Sequence, residues 1–373
     1  MSTHKTTPLP TNSIAHTWSP VTGFPPRAIL ILQHGFGEYA ERYTTSHARL
    51  IPSLTARNIE VWALDLEGHG QSPGKRGRGV VDVERAVQEH VWLCEHVAGV
   101  YNNSREARNG DTTATTRIPI ILFGHSLGGL VTAASATSLL SSSQAYPNNS
   151  NRNTNPKSTV NLTGLLLTSP VFPLRGLTPF ERVKSLVLNL LARASAALFP
   201  AREVPWPASE GNTLCGDPEQ VKLAAEDEIL VHGQISWTVA ASAVSVVRGV
   251  WRGIRGGVWN TDSRPKDVDG EGNRSGKKVD VLVLHGRGDC WTDWQGSKSF
   301  IEGIQGSRGY VDVPEDEEGG SGAKLVVTES PYHELCLGSW WSGLRRGLEG
   351  TSTSPNPGEA CERLLGTSTS NSN

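Results

Sequence analysis

The stretch Ile118-Pro119-Ile120-Ile121-Leu122-Phe123-Gly124-His125-Ser126-Leu127-Gly128-Gly129 decides the fold. Its first six residues form an apolar run of strand length, and residues 127–140 carry a helical pattern. Between them stands Gly-x-Ser-x-Gly, a turn that lifts a serine hydroxyl off the end of a buried strand at the start of a helix. Neighbouring backbone passes so close in such a turn that glycine is needed on both sides of the serine. The helix that follows aims its first amides at negative charge developing beside the hydroxyl. Taken alone, the motif also suits a glycine-rich turn with an incidental serine. The strand before it and the helix after it favour a nucleophile.

Outward from this turn, apolar runs at 28–32, 60–64, 162–168, 279–284 and 324–327 read as further buried strands. Residues 44–57, 80–97 and 294–304 read as helices. The alternation predicts an α/β fold, a mostly parallel central sheet flanked by helices, with ligands outside the carboxyl ends of its strands. Little strand-like sequence precedes Ala15-His16-Thr17-Trp18, which predicts a shortened first hairpin. Segments 102–117, 141–161, 260–278 and 313–323 are polar or glycine-rich and read as surface insertions, the last with an acidic run over 315–318.

Residues 171–259 hold no strong strand signal. Within them Val183, Leu186, Val187, Leu190, Leu191, Ala194, Ala197 and Leu198 share one helical face, opposite Arg182, Ser185, Asn189 and Arg193. A second apolar helix is expected over 235–254. The organisation predicted is a core in two parts, 14–172 and 275–349, a helical cap over 173–262, and a fraying tail over 350–373 with a short helix near 361–365. The apolar stripe of the first cap helix, flanked by Arg182, Lys184, Arg193 and Arg202, suits a lipid surface; packing onto the body beneath is the competing reading.

Composition bounds the partners. Lys and Arg total 35 against 37 Asp and Glu, so no basic field exists for nucleic acid. No stretch approaches the roughly 20 apolar residues of a spanning helix, and residues 1–20 show no secretory apolar region. The five cysteines, Cys94, Cys215, Cys290, Cys336 and Cys361, are odd in number and scattered, without paired metal spacing. Reduced thiols in a cytoplasmic chain, peripheral on membranes or lipid droplets, are the expectation.

A serine hydroxyl is inert until a base takes its proton. In this fold the acid and histidine follow the serine in that order, each from a loop after a later strand. His285-Gly286-Arg287-Gly288-Asp289 follows the run at 279–284, and Pro331-Tyr332-His333-Glu334-Leu335 follows that at 324–327. Asp289 and His333 are therefore the expected acid and base. His285 precedes the acid, in the wrong order, and Asp293 suits an N-cap for the helix starting near Trp294. His34-Gly35-Phe36-Gly37 follows the strand at 28–32, so the N–H groups of Phe36 and Leu127 are the expected oxyanion hole. His69 and His125 sit in glycine-rich turns and read as structural.

These motifs together resemble a family. Gln33-His34-Gly35-Phe36-Gly37-Glu38-Tyr39-Ala40-Glu41-Arg42-Tyr43, Asp65-Leu66-Glu67-Gly68-His69-Gly70-Gln71-Ser72 and Gly124-His125-Ser126-Leu127-Gly128-Gly129 are similar to the signatures of monoacylglycerol lipases of the α/β-hydrolase superfamily. His285 to Asp289, His333-Glu334-Leu335, Asp217-Pro218-Glu219 and Val231-His232-Gly233 extend the likeness across roughly 18–337. The resemblance implies a Ser126–Asp289–His333 triad, a Phe36/Leu127 oxyanion hole, a lipid ester substrate, and neither cofactor nor metal. It also puts Glu38 and Arg42 near a glycerol headgroup, although four residues apart they suit pairing with each other equally well. Some relatives hold glycerol with a polar residue three positions after the histidine; here it is Cys336. The implied activity is cleavage of monoacylglycerol to glycerol and fatty acid, with a lysophospholipid or another ester or thioester as the alternative substrate. A non-catalytic binding protein on this fold would lack a triad member, and none is missing. No acidic cluster for a substrate amine is evident in the cap, which disfavours an aminopeptidase.

Overall fold

The computed structural model describes residues 2–46, 49–109, 117–144, 160–172, 179–205, 214–259, 267–268, 274–275, 279–305 and 322–335. In chain order come β1 (Ser2–Pro8), β2 (Ile14–Pro20), β3 (Ala28–Gln33), α1 (Arg42–Thr45), α2 (Leu50–Thr55), β4 (Ile59–Leu64) and α3 (Val83–Asn109). Then follow β5 (Ile120–His125), α4 (Leu127–Gln144), β6 (Leu162–Thr168), α5 (Pro179–Leu198), α6 (Pro218–Glu226) and α7 (Trp237–Arg255). The two-residue strands β7 (Asp267–Val268) and β8 (Arg274–Ser275) pair with each other. Last come β9 (Asp280–Gly286), α8 (Trp294–Gln305) and β10 (Ala323–Thr328).

Eight strands form one sheet in the order β1-β2-β4-β3-β5-β6-β9-β10. Pairing is parallel from β4 to β10 and antiparallel where β2 meets β4 and β1 meets β2. The central strands are apolar throughout because both faces are covered. In β3, Ile29 and Ile31 enter one buried cluster while Leu30 and Leu32 enter another on the opposite face. Register brings Gln33 level with Gly124, His125 with Thr168 and Val327 with His285, so the loops leaving five parallel strands emerge at one end.

The first hairpin corrects the expectation of a short one. All seven residues of β1 pair with β2, and the first core segment begins at Ser2 rather than at residue 14. Every β1 residue is solvent-exposed, so the strand carries no apolar alternation to betray it. The helix expected over 44–57 is broken into α1 and α2. Pro52 has no N–H to donate, and the second helix restarts so that Pro52 falls in its first turn, where a donor would be unpaired anyway. Helix α3 runs on to Asn109, into the segment read as an insertion. Helix α6 was not expected; Asp217 caps it by accepting from the N–H groups of Glu219 and Gln220, with Pro218 opening the first turn. Most of segments 141–161 and 260–278, the acidic run, Cys336, Cys361 and the tail lie outside the described residues.

Helices α5, α6 and α7 lie between β6 and β9. Ser236 caps α7, whose apolar residues Val239, Val246, Val250 and Ile254 are buried where it packs on α4 and α3. Helix α5 packs on α7. Its orientation reverses the usual arrangement: Asn189 and Ala192 are buried, while Leu186, Leu188, Leu190 and Leu191 are each 51–58 % exposed. The reading in which the leucines pack onto the body is overturned. The leucine side is left outward.

Candidate active site

Ser126 lies between β5 and α4 with φ of +52°, in the left-handed region that non-glycine residues seldom adopt. The turn persists because its surroundings hold it. The Ser126 N–H donates to Thr168 O at 3.0 Å, and its carbonyl accepts from Gly129 and Val171. A Cβ on Gly128 would run into the carbonyl oxygens of Gln33 and His34, so only glycine allows α4 to start this close to β3. A Cβ on Gly35 would lie 3.1 Å from that of Ser126, which sets the loop after β3 directly against the serine. Phe36 follows in that loop, and Leu127 opens α4. Among the described residues neither backbone N–H has an acceptor.

Asp289 and His333 meet beyond β9 and β10. His333 Nδ1 lies 2.7 Å from Asp289 Oδ2, with the aspartate side chain fully buried. Asp289 Oδ1 accepts from the N–H groups of Trp291 and Thr292, and Oδ2 accepts from the Thr292 hydroxyl at 2.7 Å. Burial pushes this carboxyl up, but hydrogen bonding from His285, His333 and Thr292 outweighs it and holds Asp289 well below the usual carboxylate range. The backbone of His333 is fixed as well, its carbonyl accepting from Ser169 Oγ at 2.8 Å. The His333 ring packs 5.0 Å from that of His125, the residue before the serine.

Two residues around the acid went unrecognised as partners. His285, set aside as a base, is buried with Nδ1 2.8 Å from Ser297 Oγ and Nε2 3.4 Å from Asp289 Oδ2. Thr292 Oγ1 stands within 3.1 Å of His285 Nε2 and 3.3 Å of His333 Nδ1. Its position three residues past Asp289, able to fold a hydroxyl back onto the carboxylate, was the available signal. Asp293 lies elsewhere, accepting from Gln295 N–H at the head of α8. His125 is satisfied by Thr168, and His69 by the carbonyl of Glu67.

Glu38 and Arg42 pair with each other, the second of the two readings their spacing offered. Arg42 Nη1 lies 2.6 Å from Glu38 Oε1 and 2.9 Å from Glu334 Oε1, and the three residues are only 3–5 % exposed. Glu38 Oε2 also accepts from Tyr43 and from the Gly35 N–H. A buried charge must be paired, and these groups meet that need among themselves. Glu38 steadies the loop that carries Phe36 by accepting from the Gly35 N–H, and Arg42 links Glu38 to Glu334, the residue after His333.

The segment between α6 and α7 docks on the same loop. Val231 N–H donates to Gly37 O at 2.9 Å, Tyr39 donates to Asp227 Oδ2 at 2.8 Å, and Arg78 donates to the carbonyls of Glu228, Ile229 and Leu230. A cavity of about 350 Å³ opens there, with Phe36, Val231 and Ser236 among its walls. Ser126 and His333 do not line it.

Known proteins place this arrangement. The family model described as serine aminopeptidase, S33, matches residues 25–313. A monoacylglycerol lipase of Mycolicibacterium smegmatis is 25 % identical over 319 residues, covering 85 % of this chain and 84 % of the relative. The human monoglyceride lipase is 23 % identical, covering 91 % and 89 %. The crystal structure of a monoacylglycerol lipase from Paleococcus ferrophilus superposes with a TM-score of 0.56 at 22 % identity, over 95 % of this chain and 96 % of the other. With a Gly-x-Ser-x-Gly turn on an eight-stranded, mostly parallel sheet and a family match over more than half its length, the chain belongs to the S33 serine aminopeptidase family of α/β-hydrolases.

Proposed function

We propose that the protein is a serine hydrolase that cleaves monoacylglycerol to glycerol and a fatty acid, with Ser126 as nucleophile, His333 as base and Asp289 as the acid that orients it. The 2.7 Å bond between His333 and Asp289, at the same end of the sheet as the left-handed Ser126 turn, carries this reading. A carboxylate can only accept, so the His333 proton resides on Nδ1 and Nε2 is bare to receive the serine proton. The alkoxide attacks the ester carbonyl, and the N–H groups of Phe36 and Leu127 receive the oxyanion, each contributing about 3 kcal/mol. Glycerol departs with the proton from His333. Water, deprotonated by the same nitrogen, then releases the fatty acid. No cofactor enters these steps.

The exposed face of α5 supports a lipid substrate and a peripheral seat on a membrane or droplet, with α5 to α7 serving as the cap. No helix among the described residues is long and apolar enough to cross a membrane. Arg193 and Arg202, both exposed, flank the leucines and suit anionic headgroups. The side chains of Arg182 and Lys184 lie outside the described residues. A lysophospholipid, or another carboxylic ester or thioester, offers the same acyl bond and is the alternative. An aminopeptidase needs a free carboxylate for its substrate's ammonium. Glu38 and Glu334 are both engaged by Arg42 instead.

Ser126→Ala is expected to abolish both labelling by a fluorophosphonate probe and hydrolysis of monoacylglycerol, with an unchanged melting profile. Labelling retained at the wild-type rate would place the nucleophile elsewhere. Profiling the wild type against monoacylglycerols, lysophospholipids, triacylglycerols and p-nitrophenyl butyrate separates chemistry from substrate. Turnover of the butyrate with none of monoacylglycerol would leave the hydrolase standing and remove the lipid assignment.

A further inference from the structure

We propose that His4, His16 and Glu41 form a divalent-cation site at the antiparallel edge of the sheet, suited to zinc, which fastens β1 to the loop after β3. One ligand atom from each residue lies within 4.8 Å of the other two. Two imidazole nitrogens on a tetrahedral zinc stand about 3.3 Å apart, given Zn–N lengths of about 2.0–2.1 Å. His4 Nε2 and His16 Nδ1 are 3.1 Å apart, so a shift of a few tenths of an ångström admits the ion.

The surroundings prepare His16 for this role. It is fully buried, and its Nε2 lies 2.9 Å from Asp65 Oδ2. Asp65 is itself held by the N–H groups of Ala40 and Gln71, which donate to it at 2.8 Å each. A carboxylate acceptor puts the His16 proton on Nε2 and leaves the Nδ1 lone pair facing His4. This carboxylate–histidine arrangement orients metal-bound imidazoles generally. The plane of His4 is set by stacking on Trp18, at 4.6 Å and 3°.

With that tautomer of His16, His4 Nε2–H donates to His16 Nδ1 at 3.1 Å. Metal binding needs His4 Nε2 bare, so its proton passes to Nδ1 of the same ring, and a Glu41 carboxylate oxygen remains for the ion. Both His4 and Glu41 are partly open to solvent, which gives the ion a way in and leaves a fourth position for water. Glu38, His125 and Glu334 also cluster within 4.8 Å, but the Arg42 guanidinium is already paired with both carboxylates there. Two imidazoles and one carboxylate favour zinc over magnesium or calcium, which prefer all-oxygen shells.

The test is titration of metal-free, full-length protein with zinc chloride, followed by calorimetry and thermal unfolding. One zinc per chain is expected, with the melting temperature raised by about 5 °C at a hundredfold excess over Kd. His4→Ala and Glu41→Gln, both at partly exposed positions, should each weaken binding at least about tenfold. His232→Ala, at an exposed histidine far along the chain, should bind like wild type, and magnesium chloride should have no effect. Absence of a zinc-dependent shift in the wild type would overturn the site. So would an unchanged isotherm in a folded His4→Ala, which would leave His4 and His16 as a hydrogen-bonded clamp alone.

Discussion

Asp289 and Asp293 are four residues apart on one loop, and their surroundings assign them opposite work. Asp289 is buried with its oxygens turned to His333 and to Thr292, whereas Asp293 faces backbone at a helix head. Asp289→Asn should lower kcat by about 10⁴, because the amide no longer enforces the correct tautomer of His333. Asp293→Asn should change kcat by no more than a few-fold, since asparagine caps a helix nearly as well as aspartate. Steady-state kinetics on a soluble ester decides between them, and reversed effects would reassign the acid. The places of Ser126, Asp289 and His333 beyond strand ends were legible in the sequence because each follows an apolar strand through a turn, and strand ends are what such patterns report. The Glu38–Arg42–Glu334 cluster was not. Its closure joins residues nearly 300 positions apart, and no local periodicity encodes such a partner. His285 was read by its order in the chain, which says nothing of how closely β9 carries it past Asp289.

At the scale of elements, the buried strands announced themselves and the exposed one did not. β1 reads Ser-Thr-His-Lys-Thr-Thr-Pro, without an apolar residue, and is fixed by backbone pairing to β2 and by the stack of His4 on Trp18. In α5 the apolar stripe was evident, but a stripe gives no direction. The direction is set by the tertiary partner: α7 buries its valines against α4 and α3, and α5, packed on α7, buries Asn189 and Ala192 rather than its leucines. Each leucine, about half exposed, would regain on the order of 1 kcal/mol on insertion into acyl chains, so the group of four is worth several kcal/mol. Replacing Leu186 and Leu190 with Ser should therefore weaken liposome binding about tenfold or more and lower activity on long-chain monoacylglycerol. Turnover of p-nitrophenyl butyrate and the melting temperature should stay near wild type. Equal losses on both substrates with a lowered melting temperature would show the leucines to be structural.

The whole molecule carries an acid sensitivity of its own. His69 and His90 are buried, each with an Nε2 that has no partner among the described residues. Burial draws their pKa values down from 6.5, to about 3 for His69, where neighbouring His34 adds to the effect, and to about 4 for His90. Above pH 6.5 both are neutral in either state, and their contribution to stability is fully present. Below it the unfolded chain takes up protons first. Stability then falls by about 1.4 kcal/mol per pH unit for each group until the folded pKa is reached. Between pH 6.5 and 4 the two together cost about 7 kcal/mol, comparable with the whole stability of an ordinary domain. Urea unfolding at pH 7, 6 and 5 should show this decline, and His90→Leu should reduce its slope by about half. A flat profile down to pH 5 would contradict it.

The division of the sheet along the chain also bears on how the protein is made. Strands β1 to β6 occupy adjacent places in the sheet and are complete by residue 168, with the Ser126 turn among them. His333 is translated about two hundred residues after Ser126. At roughly 5–20 residues per second, a ribosome takes about 10–40 s to cover that interval. A nascent chain can thus fold its nucleophile into place while its hydroxyl still lacks the proposed base. The emerging polypeptide stays inert toward esters around it until β10 docks, a delay that follows from the order of strands alone.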